Sequence, residues 1–318
     1  SNGRIANSGT LQVGQDLTLG ADNLDLQGQL EAGENLTLTA KDTVTIRDSI
    51  ANPFIATAEG QLLVQGNQTI NIFALNHPDS GLFSGGNMVL RSANTVGGDA
   101  HYWSGGSFAI EQLDGSLGGL DSPNDPVIRA NQDVFLDSYT GASLHIFAGG
   151  LVFIPGTVRI TAPDTTDFIT EEVTLSDGIT RVSIDGSVEP TLDIRAGIDW
   201  TKLGGFPGNT VEGTVFPPPF LDSFSPVPSA DIIIGEIIVG DQGKVFLTNQ
   251  YQPNTLDTPF GGITVDSIST QAGDVVFDSR GGITLDGLID TSSFPIGSGG
   301  DVTLRAKGDI FITSSFAI

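Results

Sequence analysis

The segment Gly14-Gln-Asp-Leu-Thr-Leu19 returns 19 residues later as Gly33-Glu-Asn-Leu-Thr-Leu38, and this repetition constrains the fold more than any other feature of the chain. Within the same two units, Leu24-Asp-Leu26 returns as Val44-Thr-Ile46 and Leu30 as Ile50, each 20 residues on. Near the other end, Gly261-Gly-Ile-Thr-Val265 matches Gly281-Gly-Ile-Thr-Leu285 at 20 residues. Asp274-Val-Val-Phe277 matches Asp301-Val-Thr-Leu304 at 27, as Ile283-Thr-Leu285 matches Ile310-Phe-Ile312. The additional residues fit in Thr291–Gly300, which has the composition of a loop. The middle units are looser: Gly86-Asn-Met-Val-Leu90, Gly106-Ser-Phe-Ala-Ile110 and Gln132-Asp-Val-Phe-Leu136.

Each unit holds short runs of alternating apolar residues closed by Gly, Asp or Asn, which is the pattern of strands and not of helices. A hairpin meander would pair strands inside a unit across two-residue turns. Here the corners are uneven and one unit matches the next position by position, so equivalent strands are expected to stack in parallel, coil upon coil. The predicted fold is an all-β, right-handed parallel β-helix with coils of about 20–27 residues, the hand following from the usual chirality of parallel connections. One coil alone buries too little apolar surface to repay the ordering of its backbone, so stability must come from the array. Residues 1–318 read as a single solenoid with loop excursions at about 113–125 and 206–229, the second carrying six of the 16 prolines. The corner glycines are expected to supply left-handed backbone. The Asp or Asn before each strand (Asp16, Asn35, Asn87, Asp133, Asp274, Asp301, Asp309) is expected to bond local backbone N–H groups.

Composition narrows the function. Among 318 residues, 38 are acidic and only 13 basic, a formal net charge of −25, so a phosphate backbone would be repelled and nucleic acid is excluded as a partner. With no cysteine there is no disulfide or thiol chemistry, and a zinc site would have to come from His77, His101, His145 and carboxylates. No apolar run reaches the ~20 residues that span a bilayer. The opening Ser1-Asn2 and the ending inside the repeat pattern read as a processed or excised piece of a longer protein.

Few residues suggest chemistry. The histidines show no metal-ligand spacing, and there is no nucleophile elbow. His145 alternates with Leu144 and Ile146, so it is expected on the opposite face of its strand, in a structural role. Asp266, Asp286 and Asp290 would form an outward acidic row on neighbouring coils, the arrangement a polysaccharide-cleaving β-helix needs. Such a row also arises on any solvated acidic surface, and the chain reads as a non-enzyme. His101-Tyr102-Trp103, between Gly97-Gly-Asp99 and Gly105-Gly106, is the sharpest exposed-looking cluster, with Tyr102 and Trp103 as candidate glycan contacts. No cofactor or metal site is assigned. Stacked corner carboxylates leave Ca2+ as a candidate, although the Gly-Gly-x-Gly-x-Asp calcium repeat is absent.

The stretch Phe73-Ala-Leu-Asn-His-Pro-Asp-Ser-Gly-Leu-Phe-Ser-Gly-Gly-Asn-Met-Val-Leu-Arg-Ser-Ala-Asn-Thr-Val-Gly-Gly-Asp-Ala-His-Tyr-Trp103 resembles the large cyanobacterial exoproteins of the filamentous haemagglutinin family. The Gly-Asp-Leu-Thr-Leu type repeats are similar to that family as well. The resemblance implies a right-handed β-helix exported by two-partner secretion through an outer-membrane pore, hence an extracellular or cell-surface location. The family's Asn-Pro-Asn-Gly type secretion motif does not occur, Asn52-Pro-Phe54 departing from it, so the chain is expected to be a downstream shaft segment. Its expected work is adhesion, with a cell-surface glycan or matrix as partner, or construction of an extracellular filament or sheath by end-to-end self-association. The alternative is a polysaccharide-binding or polysaccharide-cleaving β-helix.

Overall fold

The protein is a parallel β-helix in the computed structural model, which describes residues 3–164, 169–203, 229–240, 242–254, 261–293 and 297–313. The chain divides into two compact units, the first built from residues up to 122 together with 126–136, the second from 123–125, 137–202 and residues beyond 226.

In the first unit three parallel ladders run side by side. One stacks Leu17–Ala21, Leu36–Ala40, Leu62–Gly66, Met88–Ser92, Phe108–Glu111 and Val134–Phe135. A second stacks Arg4–Asn7, Asn23–Leu26, Thr43–Arg47, Thr69–Ala74, the first half of Val96–Ser104 and Gly119–Ser122. The third stacks Thr10–Val13, Gln29–Ala32, Ile55–Ala58, Gly81–Ser84, the second half of Val96–Ser104 and Val127–Ala130. Alternation along each strand sends one set of side chains inward, so Leu36, Leu38, Val64, Leu90, Phe108 and Ile110 are fully buried and stack like on like. In the second unit, Ser138–Ala142, Val152–Ala162, Ile232–Val239, Ile263–Thr270, Ile283–Leu285 and Ile310–Ile312 continue one series. Leu144–Ala148, Thr191–Arg195, Lys244–Thr248, Asp274–Ser279 and Val302–Ala306 form another.

The repeat register is as expected at Leu17↔Leu36, Leu24↔Val44, Ile263↔Ile283, Val275↔Val302 and Ile283↔Ile310. It departs at Ile50. Leu30 stacks on Ala56, because a reverse turn closed by Ser49 and Asn52 lengthens that coil and leaves Ile50 in solvent.

The corners also work differently from expectation. Among the described glycines, left-handed φ values occur at Gly28, Gly115, Gly178 and Gly197, not at the repeated corner glycines. What those need is close approach: a Cβ on Gly33 would sit 2.5 Å from the carbonyl oxygen of Gly14, one coil below. Four of the corner Asp and Asn side chains reach the neighbouring coil. Asp16 accepts from Asn35 N, Asn35 from Gln61 N, Asn87 from Ser107 N and Asp274 from Asp301 N, at 2.9–3.0 Å. These bonds extend the ladder through corners whose donors would otherwise be unpaired.

The excursion expected at 113–125 is shorter than that. Gly119–Ser122 is a strand on the second ladder, because Leu120 pairs with Val96 and is buried there. The proline-rich excursion at 206–229 lies outside the described residues except for Ser229. A further excursion follows Ala162: strands Thr170–Thr174 and Arg181–Asp185 form an antiparallel hairpin across an Asp177-Gly178 turn.

Candidate functional site

The hairpin covers the outer face of the Leu144–Val302 series. Its inward residues Val173, Leu175, Val182 and Ile184 pack on Phe246 and Val276, with Tyr251 at the margin. That cover explains why Leu144–Ala148 and Thr191–Arg195 are buried on both faces.

Under it lies a chain of ionisable side chains. In-register stacking places His145 beside Asp193 and Phe147 beside Arg195. Arg195 is fully buried, donating from Nε and Nη2 to Asp193 at 2.9 and 2.8 Å and from Nη1 to Glu171 of the hairpin at 2.8 Å. Three rings surround its guanidinium: Tyr251 at 4.3 Å, Phe147 at 4.9 Å and Phe246 at 5.7 Å from Cζ. The Tyr251 hydroxyl donates to Glu171. His145, also fully buried, meets Asp193 at Nδ1 (3.2 Å) and Asp125 at Nε2 (3.1 Å). Asp125 in turn donates its backbone N–H to Asp164 at 2.6 Å.

The electrostatics follow from burial and pairing. Burial opposes a charge on His145, but Asp125 and Asp193 outweigh it and raise the imidazole from 6.5 to about 9. Burial pushes Asp193 up, yet Arg195 and His145 hold it below its ordinary value. For Asp125 burial wins over the attraction of His145, and its carboxyl is raised. Burial likewise lowers Arg195, and the carboxylates of Asp193 and Glu171 more than restore it. Such an arrangement holds charge in place. It opens no path to a substrate, because its central members have no exposed surface.

The other sequence candidates are dispersed. Tyr102 points into the core with no exposed surface and donates to Gly98 O at 2.9 Å, so it offers nothing to a ligand. Alternation explains this: His101 and Trp103 take the outer face, Tyr102 the inner. Trp103 is half-buried in a column with its register partners Phe83 and Arg129, stacked on the first at 4.5 Å and lying under the second at 5.1 Å. His77 belongs to a turn organised by Asp48, whose carboxylate accepts from Asn76, His77 N and Ser80. Asp290 stacks on Ser269 and turns back to Ser292, which lowers its carboxyl, so it does not continue a row from Asp266 and Asp286. Among the described residues no group of three or more His, Asp or Glu is placed to hold a metal ion, and no helix is long and apolar enough to cross a membrane.

Fold and site together define a solenoid protein of the parallel β-helix class. No family model, curated protein or solved structure matches the chain.

The hairpin was not among the expectations, although Val173-x-Leu175, Asp177-Gly178 and Val182-x-Ile184 carry its signal. The charge network was hidden for another reason. His145 and Asp193 are 48 residues apart, a spacing foreign to the repeat because the excursion intervenes.

Proposed function

We propose that the chain is a β-helical shaft segment of a secreted, cell-surface protein, whose work is mechanical: to build or extend an extracellular structure and hold loops away from the cell. The observation that carries this reading is where the chain places its polar chemistry. Its strongest ionic groups are sealed under the hairpin and its corner carboxylates bond neighbouring coils, so both stabilise the stack. Export through an outer-membrane pore as part of a longer protein fits a cysteine-free chain that would be threaded unfolded. The partner is either a second copy, through unpaired strand edges, or a glycan or matrix surface. The net charge of −25 keeps shafts apart, and divalent cations would bridge them.

Negative-stain electron microscopy at micromolar concentration, with calcium and with a chelator, tests the proposal. Fibres with a regular axial repeat make the chain a filament or sheath subunit, and separate particles make it a presenting shaft. Calcium bridging predicts faster sedimentation with Ca2+, reversed by the chelator; unchanged sedimentation removes it. Release of reducing sugar from a polysaccharide panel would overturn the mechanical reading in favour of an enzyme. For glycan contact, Trp103 is the remaining candidate of the pair, and quenching of its fluorescence by a bound oligosaccharide is the corresponding test.

A further inference from the structure

The hairpin reaches four successive strands of one ladder. Glu171 holds Arg195 of Thr191–Arg195, and Ser183 O accepts from Lys244 of Lys244–Thr248. Ser176 bonds Asp278 of Asp274–Ser279 through both N and Oγ, and Asp177 pairs with Arg305 of Val302–Ala306. Among the described residues, no backbone–backbone hydrogen bond joins 170–185 to these strands. The hairpin can therefore lift as a unit without breaking the ladder beneath it.

One buried imidazole lies at its root. Both nitrogens of His145 face carboxylate oxygens, and ionised carboxylates only accept hydrogen bonds. The doubly protonated ring alone presents positive charge to both, Nδ1 in hydrogen-bond geometry to Asp193 and Nε2 in an ion-pair contact with Asp125. Loss of one proton sets a nitrogen lone pair against a buried carboxylate. Gly186, where the chain returns from the hairpin, abuts this point: a Cβ there would lie 3.2 Å from His145 Nε2 and 3.5 Å from Asp125 Oδ2. On the other side, Asp193 connects the ring to Arg195 and so to Glu171 of the hairpin. The charged or titratable groups in this chain of contacts are Asp125, Asp193, Arg195, Asp164, Glu171 and Tyr251.

We propose that the 170–185 hairpin is a detachable clasp across four coils and that doubly protonated His145 is its latch. With the ring protonated the hairpin is seated. With the ring neutral it lifts, uncovering Phe246, Val276 and Tyr251 while the stacked strands persist.

Hydrogen–deuterium exchange of the full chain at pH 7 and pH 10, normalised to the intrinsic rate of each amide, tests this directly. Protection of 170–185 should fall by about tenfold or more at the higher pH, while 244–248 and 274–279 keep theirs. His145→Gln should expose the hairpin at both pH values and abolish the step. Should that variant not fold, Lys244→Met replaces it: Lys244 is the other cation beside the hairpin, donating to Ser183 O, and the step must survive its removal. The proposal is overturned if hairpin and strands lose protection together or if the hairpin shows no step. It is equally overturned if the step persists in His145→Gln or vanishes in Lys244→Met.

Discussion

Gly14 and Gly33 occupy the same corner of consecutive coils, yet alanine should have opposite effects at the two. A Cβ on Gly33 would lie 2.5 Å from Gly14 O, 2.8 Å from its carbonyl carbon and 3.2 Å from its Cα, all backbone atoms. Ordinary contact begins near 3.4 Å, so the two coils must part locally by about 1 Å against a strand spacing of ~4.8 Å. Overpacking of this kind costs about 1–3 kcal/mol. The bonds flanking the corner, Gly33 N to Val13 O and Glu34 N to Gln15 O, are stretched with it, at about 1 kcal/mol each. Restricting the unfolded chain returns ~0.4–1 kcal/mol. Gly33→Ala should therefore destabilise by roughly 2–5 kcal/mol. A Cβ on Gly14 meets nothing within 4 Å and its φ is not left-handed, so Gly14→Ala keeps only the entropic gain. Guanidinium unfolding followed by circular dichroism compares the two. A Gly33→Ala midpoint at or above that of Gly14→Ala would refute the close-approach explanation of the corners.

The charge network yields two further predictions. The folded His145 titrates at about 9, above the 6.5 of an unperturbed ring, so its contribution is fully present below pH 6.5 and lost as pH rises through 9. The difference is worth about 3 kcal/mol. Ring 15N–1H spectra read it directly, because the chain has only three histidines; a ring that deprotonates near 6.5 contradicts the account. Arg195→Ala leaves Asp193 and Glu171 without their cation and should cost about 3–5 kcal/mol. Arg195→Lys should recover little, since an ammonium cannot span both Asp193 oxygens while reaching Glu171; thermal melts of the two variants decide this, and a lysine variant as stable as the parent would contradict it.

How far the fold was legible depended on whether a feature repeated. Leu17 and Leu36 match because each follows the same Gly-x-Asx corner and alternates inward, and Ile283 and Ile310 match because each follows a glycine corner and opens the same apolar triplet. Ile50 was misplaced because a turn at Ser49–Asn52 changes the coil length, and an apolar residue in a turn imitates the period it interrupts. Gly33 among the corner glycines, and Asp16, Asn35, Asn87 and Asp274 among the corner Asx residues, act between coils where a local role is expected. Local backbone conformation can be argued from one coil, whereas Gly33 against Gly14 and Asn35 against Asp16 are contacts between two. His145 was assigned a structural role from alternation alone, but its partners could not be named. Which coil lies beside it depends on the excursion between Ala162 and Thr191, and that excursion's own hairpin signal was hidden by the dominant period. Tyr102 shows the limit of reading clusters by composition, because a strand sends neighbours to opposite faces.

In-register parallel stacking places every contact between coils, and the absence of native cysteine makes it directly testable. Thr18 pairs with Thr37 in the register, both on the outer face of their strands. The double variant Thr18→Cys/Thr37→Cys should close a disulfide readily under mild oxidation, whereas Thr18→Cys/Thr39→Cys, two residues out of register on the same face, should close far more slowly. Equal rates for the two pairs, or faster closure of the second, would contradict the stacked-coil account.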